Sequence, residues 1–297
     1  MTTMGRPADN RATLVRVAVR GSVAPARLHA EVPPHDRDGH LTVLPGTGGI
    51  FPEVHVGDAV DSWLSDHLMV GASVEDAGTT PAEPGSLHLL ACVGNRVRDA
   101  SGATIGVVAG KRGGLAPGFF PPNLVSVDAP ADRLRRLVPG ATVFVETLGR
   151  GLELADRPGI GVLNCAPAVL DALPLRATRE GLEIDVRLVV PSVAAGSGLG
   201  QDAWIGDLEI ADPALGVGEG GLCFGDLVAF ADVDGSFGRY YRPGTVCVGL
   251  VAHGPSVVPG HGVGVTLLLS GSAEELRVRV SPGASLAPFL RRAGAED

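Results

Sequence analysis

Tight-turn signals recur along this chain, and each is followed by a short run rich in β-branched or other apolar residues. The pattern appears at Gly57-Asp58-Ala59-Val60, Pro139-Gly140-Ala141-Thr142-Val143, Gly225-Asp226-Leu227-Val228 and Pro243-Gly244-Thr245-Val246. Gly-Asp supplies a positive-φ position beside a side-chain acceptor, and Pro-Gly presets a type II turn. The spacings are irregular, so no single supersecondary unit repeats. Strands that turn corners this often build sandwiches and small barrels. The expected fold is therefore mainly β (α+β), with two β-barrel- or sandwich-like domains and a few short helices.

Length supports two domains, since 297 residues exceed what one compact core usually holds. The breaker-rich stretch from Gly149 to Gly159 suggests a division into residues 12–155 and 156–297, each β-rich. Strands are expected at 14–20, 41–44, 54–60 (around the Gly57-Asp58 turn), 87–93, 104–109, 184–190, 245–252 and 263–269. Helices are expected at 131–138, 166–173 and 286–293. Aromatic residues make up only 4% of the chain, so the cores must rest on Val, Leu, Ala and Ile.

A formal charge of −9 without a run of Lys and Arg argues against a nucleic-acid partner. No stretch is apolar for long enough to span a membrane, and the N-terminal residues are interrupted by Arg6, Asp9, Arg11 and Arg16. Four scattered cysteines, without a CxxC or Cys/His cluster, read as buried free thiols in a reducing compartment. A cytoplasmic location is the corresponding expectation.

Among the 24 basic residues, Lys111 is the only lysine. Lysine can lose its proton on burial and attack a carbonyl, whereas arginine can do neither. It lies in Gly110-Lys111-Arg112-Gly113-Gly114, expected as a loop whose backbone N–H groups, with Gly110 and Gly113, could converge on an anion. The loop Ala195-Gly196-Ser197-Gly198-Leu199-Gly200 resembles neither a dinucleotide loop nor a nucleophile elbow in full; Ser197 is retained as a ligand-contact candidate. Asp232 and Asp234, two apart on an extended segment, share a face and could grip one cation. His253 and His261 bracket a loop between two expected strands, and Asp66-His67 is a third polar pair in apolar surroundings. A metal site or acid–base chemistry could be built from these parts. Asn95 and Asn164 sit in apolar runs, where each must satisfy backbone or orient a ligand.

Taken together, Gly48-Gly49-Ile50, Gly57-Asp58, Asp66-His67, Cys92-Val93-Gly94-Asn95, Gly110-Lys111-Arg112-Gly113-Gly114, Gly225-Asp226, Asp232-Val233-Asp234, His253 and Gly260-His261-Gly262 resemble the domain-of-unknown-function 4438 family. The resemblance runs from about residue 12 to about residue 285. It implies N- and C-terminal β-rich parts and no settled activity. Relatives tend to carry histidine in the lysine loop, where this chain has Arg112, and proline where it has Val263.

These features point to a small-molecule enzyme, a hydrolase or lyase acting on a polar anionic metabolite. In that reading Lys111 and backbone N–H groups hold the anion, and His253 or His261, with Asp66 and His67, moves the proton or ligates a divalent metal. The metal candidates are His253, His261, Asp232 and Asp234. The alternative is a non-catalytic metabolite-binding or sensor protein. A third reading is a structural or scaffold protein assembled as a homo-oligomer through sheet edges.

Overall fold

The computed structural model describes residues 7–27, 38–40, 47–77, 85–113, 123–198, 200–212, 214–215, 220–236, 239–256 and 260–296. Seven strands form the first sheet: β1 (Val17–Val23), β2 (Ile50–Phe51), β3 (Gly71–Asp76), β4 (Arg96–Asp99), β5 (Thr104–Arg112), β6 (Leu124–Asp128) and β7 (Thr142–Thr147). Their order is β1-β7-β4-β5-β6-β3-β2, and β1 also pairs with β3. Six antiparallel strands thereby close into a barrel, which removes their free edges. The barrel is filled by small aliphatic side chains, among them Val19, Val74, Val97, Val108, Val125 and Val145. Strand β7 alternates half-buried and buried positions, the mark of one face turned outward.

The second half carries β8 (Gly161–Val162), β9 (Leu175–Ala177), β10 (Leu182–Val186), β11 (Leu188–Val190), β12 (Leu208–Ile210), β13 (Leu227–Asp234), β14 (Tyr240–His253), β15 (Val263–Ser272) and β16 (Leu276–Val280). The main sheet runs β11-β13-β14-β15-β12, and β8 also pairs with β15. A smaller sheet has the order β16-β10-β9. The helices are short: α1 (Ser86–Leu90), α2 (Ala131–Leu134), α3 (Pro167–Ala172) and α4 (Ala287–Ala295). None among the described residues is long and apolar enough to cross a membrane. The protein is mainly β with few short helices, as the turn grammar requires.

Two local expectations are corrected. The run 87–93, expected as a strand, begins with helix α1. The Asp76 carboxylate, at the end of β3, accepts the N–H groups of Leu87 (2.9 Å) and His88 (3.4 Å) and so caps the helix from another element. Residues 54–60 form turns rather than strand, with Gly57 at φ +92°. Residues 41–44 lie outside the described residues.

Strand β5 continues through Arg112, and every residue after Thr104 in it is buried. Such a run is buried on both faces: one lines the barrel and the other meets the second sheet. The backbones approach closely where Gly110 faces Ala252 on β14. An added Cβ at Gly110 would lie 2.6 Å from the Ala252 Cβ and 3.3 Å from Ser126 Oγ. Next to it, Lys111 N–H donates to Thr266 Oγ1 on β15 at 2.8 Å. One hydrophobic cluster accordingly contains residues from Val54 to Leu290.

This junction has no spare room. Gly110→Ala is expected to destabilise the fold by about 1–3 kcal/mol, the usual cost of overpacking. Thermal melting checks it; an unchanged melting temperature would show that β5 and β14 do not pack as closely as described.

Candidate metal centre

The polar residues buried at the junction of β5, β14 and β15 are organised around one segment, 203–210. Three successive carbonyls of that segment are each held by a different buried side chain. Asn164 Nδ2 donates to Ala203 O (2.6 Å), Lys111 Nζ to Trp204 O (3.1 Å), and His88 Nε2 pairs with Ile205 O. Lys111 Nζ also donates to Asn164 Oδ1 at 2.9 Å, so two of the three grips are linked. On the other side, Gly196 N–H donates to Glu209 O (2.8 Å) and Glu209 N–H to Ser197 O (2.9 Å). Gly113 N–H donates to Asp207 Oδ1 at 2.9 Å. The result is a rigidly placed Asp207-Leu208-Glu209, whose two carboxylates lie on one face of β12.

Three imidazoles meet these carboxylates. His67 Nδ1 donates to Asp66 Oδ2 (3.1 Å), and Asp66 Oδ1 accepts the Ser256 hydroxyl (2.7 Å). That bond fixes the ring and sets His67 Nε2 3.7 Å from Glu209 Oε1. His261 Nδ1 lies 3.1 Å from both Glu209 oxygens. His253 Nδ1 donates to Gly254 O (2.8 Å), and its Nε2 faces Asp207 Oδ2 at 2.9 Å. The His67 ring centroid is 5.1 Å from that of His253 and 5.5 Å from that of His261. His67, Glu209 and His261 form one donor set within 4.8 Å; Asp207, Glu209 and His253 form another.

Burial alone would neutralise these groups, but their partners reverse its effect. Burial raises the Glu209 pKa, and the hydrogen bond to His261 together with the nearby His67 and His253 rings outweighs it, holding the carboxyl well below its usual range. Asp207 behaves likewise through His253. Burial opposes charge on His253, yet the hydrogen bond to Asp207 raises its pKa. Burial lowers His88 to about 3 and Lys111 to about 8. The backbone is strained here as well. His67 (φ +51°), Asn164 (φ +40°) and Arg239 (φ +35°) are three of the four described non-glycine residues with positive φ. Strain of this kind persists where surrounding structure over-determines it, and it clusters at functional sites.

Of the residues singled out from sequence, His253, His261, Asp66 and His67 are brought together. Lys111 and Asn164 belong to the bracket beneath them, and Ser197 contributes through its carbonyl. The anion loop at 110–114 is corrected: Gly110 and Lys111 are strand residues, and the N–H groups of Lys111 and Gly113 are already engaged within the protein; Gly114 lies outside the described residues. Asn95 satisfies the backbone of Cys92 and Leu148, accepting from Cys92 N–H at 2.8 Å and donating to Leu148 O at 2.8 Å. Asp232 and Asp234 are also corrected as metal ligands. They lie by the far end of the 14-residue β14 from His253, since Asp234 pairs with Tyr240. There Asp232 accepts Gly244 N–H, and Asp234 binds Ser236 and Arg242.

Sequence reading missed Asp207, Glu209 and Arg239. The signal for the first two was present: carboxylates two apart, interleaved with Ile205, Leu208 and Ile210, imply a strand with both acids on one face.

The chain matches the family models described as "Domain of unknown function (DUF4438), N-terminal" over residues 34–171 and its C-terminal counterpart over 172–290, and it belongs to this family. It is similar to a solved structure titled "Crystal structure of TM1086", with 31% identity and a TM-score of 0.86, covering 96% of this chain and 100% of the other. No curated protein matches it.

Lys111 offers a direct test of the bracket, because a single lysine gives a single set of side-chain resonances. With ¹³C-labelled lysine, its ε-carbon is expected to titrate near the folded pKa of about 8. The ordinary lysine value is about 10.4. The unfolded chain therefore holds this proton more tightly, and the residue's contribution to stability rises as pH climbs from about 8 to about 10.4. A titration midpoint above 10 would mean that Nζ is solvated, and the bracket would not exist as described.

Proposed function

We propose that this DUF4438 protein is a metal-dependent hydrolase or lyase that acts on a small polar anion. The observation that carries the reading is the orientation of His67. Its Nδ1 is bonded to Asp66, which directs Nε2 to Glu209, and the donor atoms of His67, Glu209 and His261 lie within 4.8 Å of one another. A carboxylate that fixes the tautomer of a ligating histidine is a recurrent second-layer feature of metal sites. Two histidines and one carboxylate suit Zn²⁺ or another divalent transition metal.

Such an ion lowers the pKa of bound water and polarises a carbonyl or phosphoryl oxygen. The chain's own residues supply the rest. The His253–Asp207 pair lies beside this set, with His253 Nε2 3.9 Å from Glu209 Oε1. Arg239 is fully buried; its Nε donates to Gln201 O at 3.1 Å, and neither Nη1 nor Nη2 has a hydrogen-bond partner among the described residues. Nη2 points at Gly206, beside Asp207: an added Cβ there would be 3.2 Å from it. A buried guanidinium whose two amino groups have no partner among the described residues is suited to a carboxylate or phosphate group. In this reading Arg239 takes the anion, and Lys111 is a positioning residue.

The test combines metal content with turnover. Purified protein is expected to hold a transition metal that plasma mass spectrometry detects and that His67→Ala or His261→Ala removes. Asp66→Asn is expected to weaken metal affinity about 10–100-fold without removing a ligand. Hydrolysis of a panel of phosphoesters and carboxylate-bearing esters and amides should disappear on chelation and return with metal. A folded wild type that binds no divalent metal would sink the reading. Metal binding without turnover of any panel member would favour the non-catalytic metabolite-binding alternative.

A further inference from the structure

We infer that the centre is built for two metal ions, with Glu209 shared between them and a second ion held by Asp207 and His253. The inference rests on the metal-dependent reading above and extends it to a second donor set.

Four features support it. Asp207, Glu209 and His253 place donor atoms within 4.8 Å of one another, and all three are buried. The His253 ring is fixed by donation from Nδ1 to Gly254 O, which leaves Nε2 as an acceptor in the neutral ring. Nε2 then faces Asp207 Oδ2 at 2.9 Å. Two buried acceptors at that distance require a cation between them, either a proton or a metal ion. The other Asp207 oxygen is occupied by Gly113 N–H, so Oδ2 is the one presented to the cluster.

Glu209 is the shared group by position. Its Oε1 is 3.7 Å from His67 Nε2 and 3.9 Å from His253 Nε2, the ring nitrogens of the two different sets. Its Oε2 accepts Gly262 N–H at 2.8 Å, which holds the carboxylate between them. The opposite strand is shaped to admit the second histidine. Gly264 pairs with His253, and an added Cβ at Gly264 would lie 1.9 Å from His253 Nε2. Three buried carboxylates, Asp66, Asp207 and Glu209, stand around the ring nitrogens, and the buried Arg112 guanidinium offsets part of their charge. Two-ion centres act as a clamp on the attacking and leaving oxygens of a displacement, which points within the proposed substrates to phosphate esters and to carboxylate-bearing esters or amides.

The experiment is metal stoichiometry on the full-length wild type after loading with Mn²⁺ and gel filtration, read by plasma mass spectrometry and by EPR. The expected result is about two Mn²⁺ per chain with the multiline signal of an exchange-coupled pair. His253→Gln and Asp207→Asn should each retain one ion and lose the coupling, whereas Glu209→Gln should lose the coupling and weaken both sites. Circular dichroism on each variant separates loss of a ligand from loss of fold. One ion per wild-type chain with an uncoupled signal would overturn the two-ion inference and leave the single-metal reading standing. No bound ion in folded wild type would overturn both.

Discussion

Everything at the centre depends on how the segment 203–210 is held, and the Lys111–Asn164 bracket holds it. Placing an ammonium where water cannot reach is costly. The fall of Lys111 from an ordinary lysine pKa to about 8 corresponds to roughly 3 kcal/mol. The expenditure is intelligible because Nζ reaches Trp204 O and Asn164 Oδ1 together, while Asn164 grips Ala203 O and Leu267 O. The Lys111 charge is also felt by the buried His88 and Cys92, which stand close to it. In a chain that otherwise uses arginine for every basic side chain, a compact donor is the physical reason for lysine here.

The bracket acts on the carboxylates by fixing backbone, and the carboxylates in turn decide the state of the histidines. Asp207 and Glu209 are less than a tenth exposed, and neither is aligned by solvent. Gly113 N–H and Gly262 N–H each bond one oxygen of these residues and so fix how the carboxylates face the imidazoles. This placement is what converts a set of acidic and basic side chains into a donor arrangement. Asp207 keeps Oδ2 for His253, while Glu209 turns Oε1 toward His67 and His253 and meets His261 with both oxygens. The positive φ of His67, Asn164 and Arg239 falls at the same centre, where the surrounding bonds hold backbone that is otherwise unfavourable.

Much of the fold was legible because its signals are local. Alternation and turn chemistry marked β1, β5, β14 and β15, and proline near a first turn marked α3. Residues 87–93 failed because the cap for α1 comes from Asp76, which sequence cannot place beside Leu87. The site divided along similar lines. His253 and His261 were visible as a pair because one loop joins them. Asp232 and Asp234 were chosen by the rule of carboxylates two apart, and the same rule describes Asp207 and Glu209. What separates the two pairs is their surroundings: one meets Arg242, whose side chain is 59% exposed, and the other meets three imidazoles in the interior. That difference is tertiary. The Gly110–Gly113 stretch misled for a related reason, because its glycines serve close approach of strands and not a phosphate-binding loop.

The donor sets also constrain how the chain can be assembled. His67 and Asp66 come from the turn before β3, held against Pro255 and Gly254 by backbone hydrogen bonds. Asp207, Glu209, His253 and His261 come from the second half of the sequence. No contiguous half of the chain contains a complete His67–Glu209–His261 set, so any ion bound there ties the barrel to the second sheet. Binding to the native arrangement alone stabilises it by mass action. The buried carboxylates would be a liability for an empty junction, because their mutual repulsion opposes closure until imidazolium, arginine or metal compensates it. The same charges that make the centre able to hold cations therefore make its compensation part of the stability of the fold, and the two requirements are met by one set of residues.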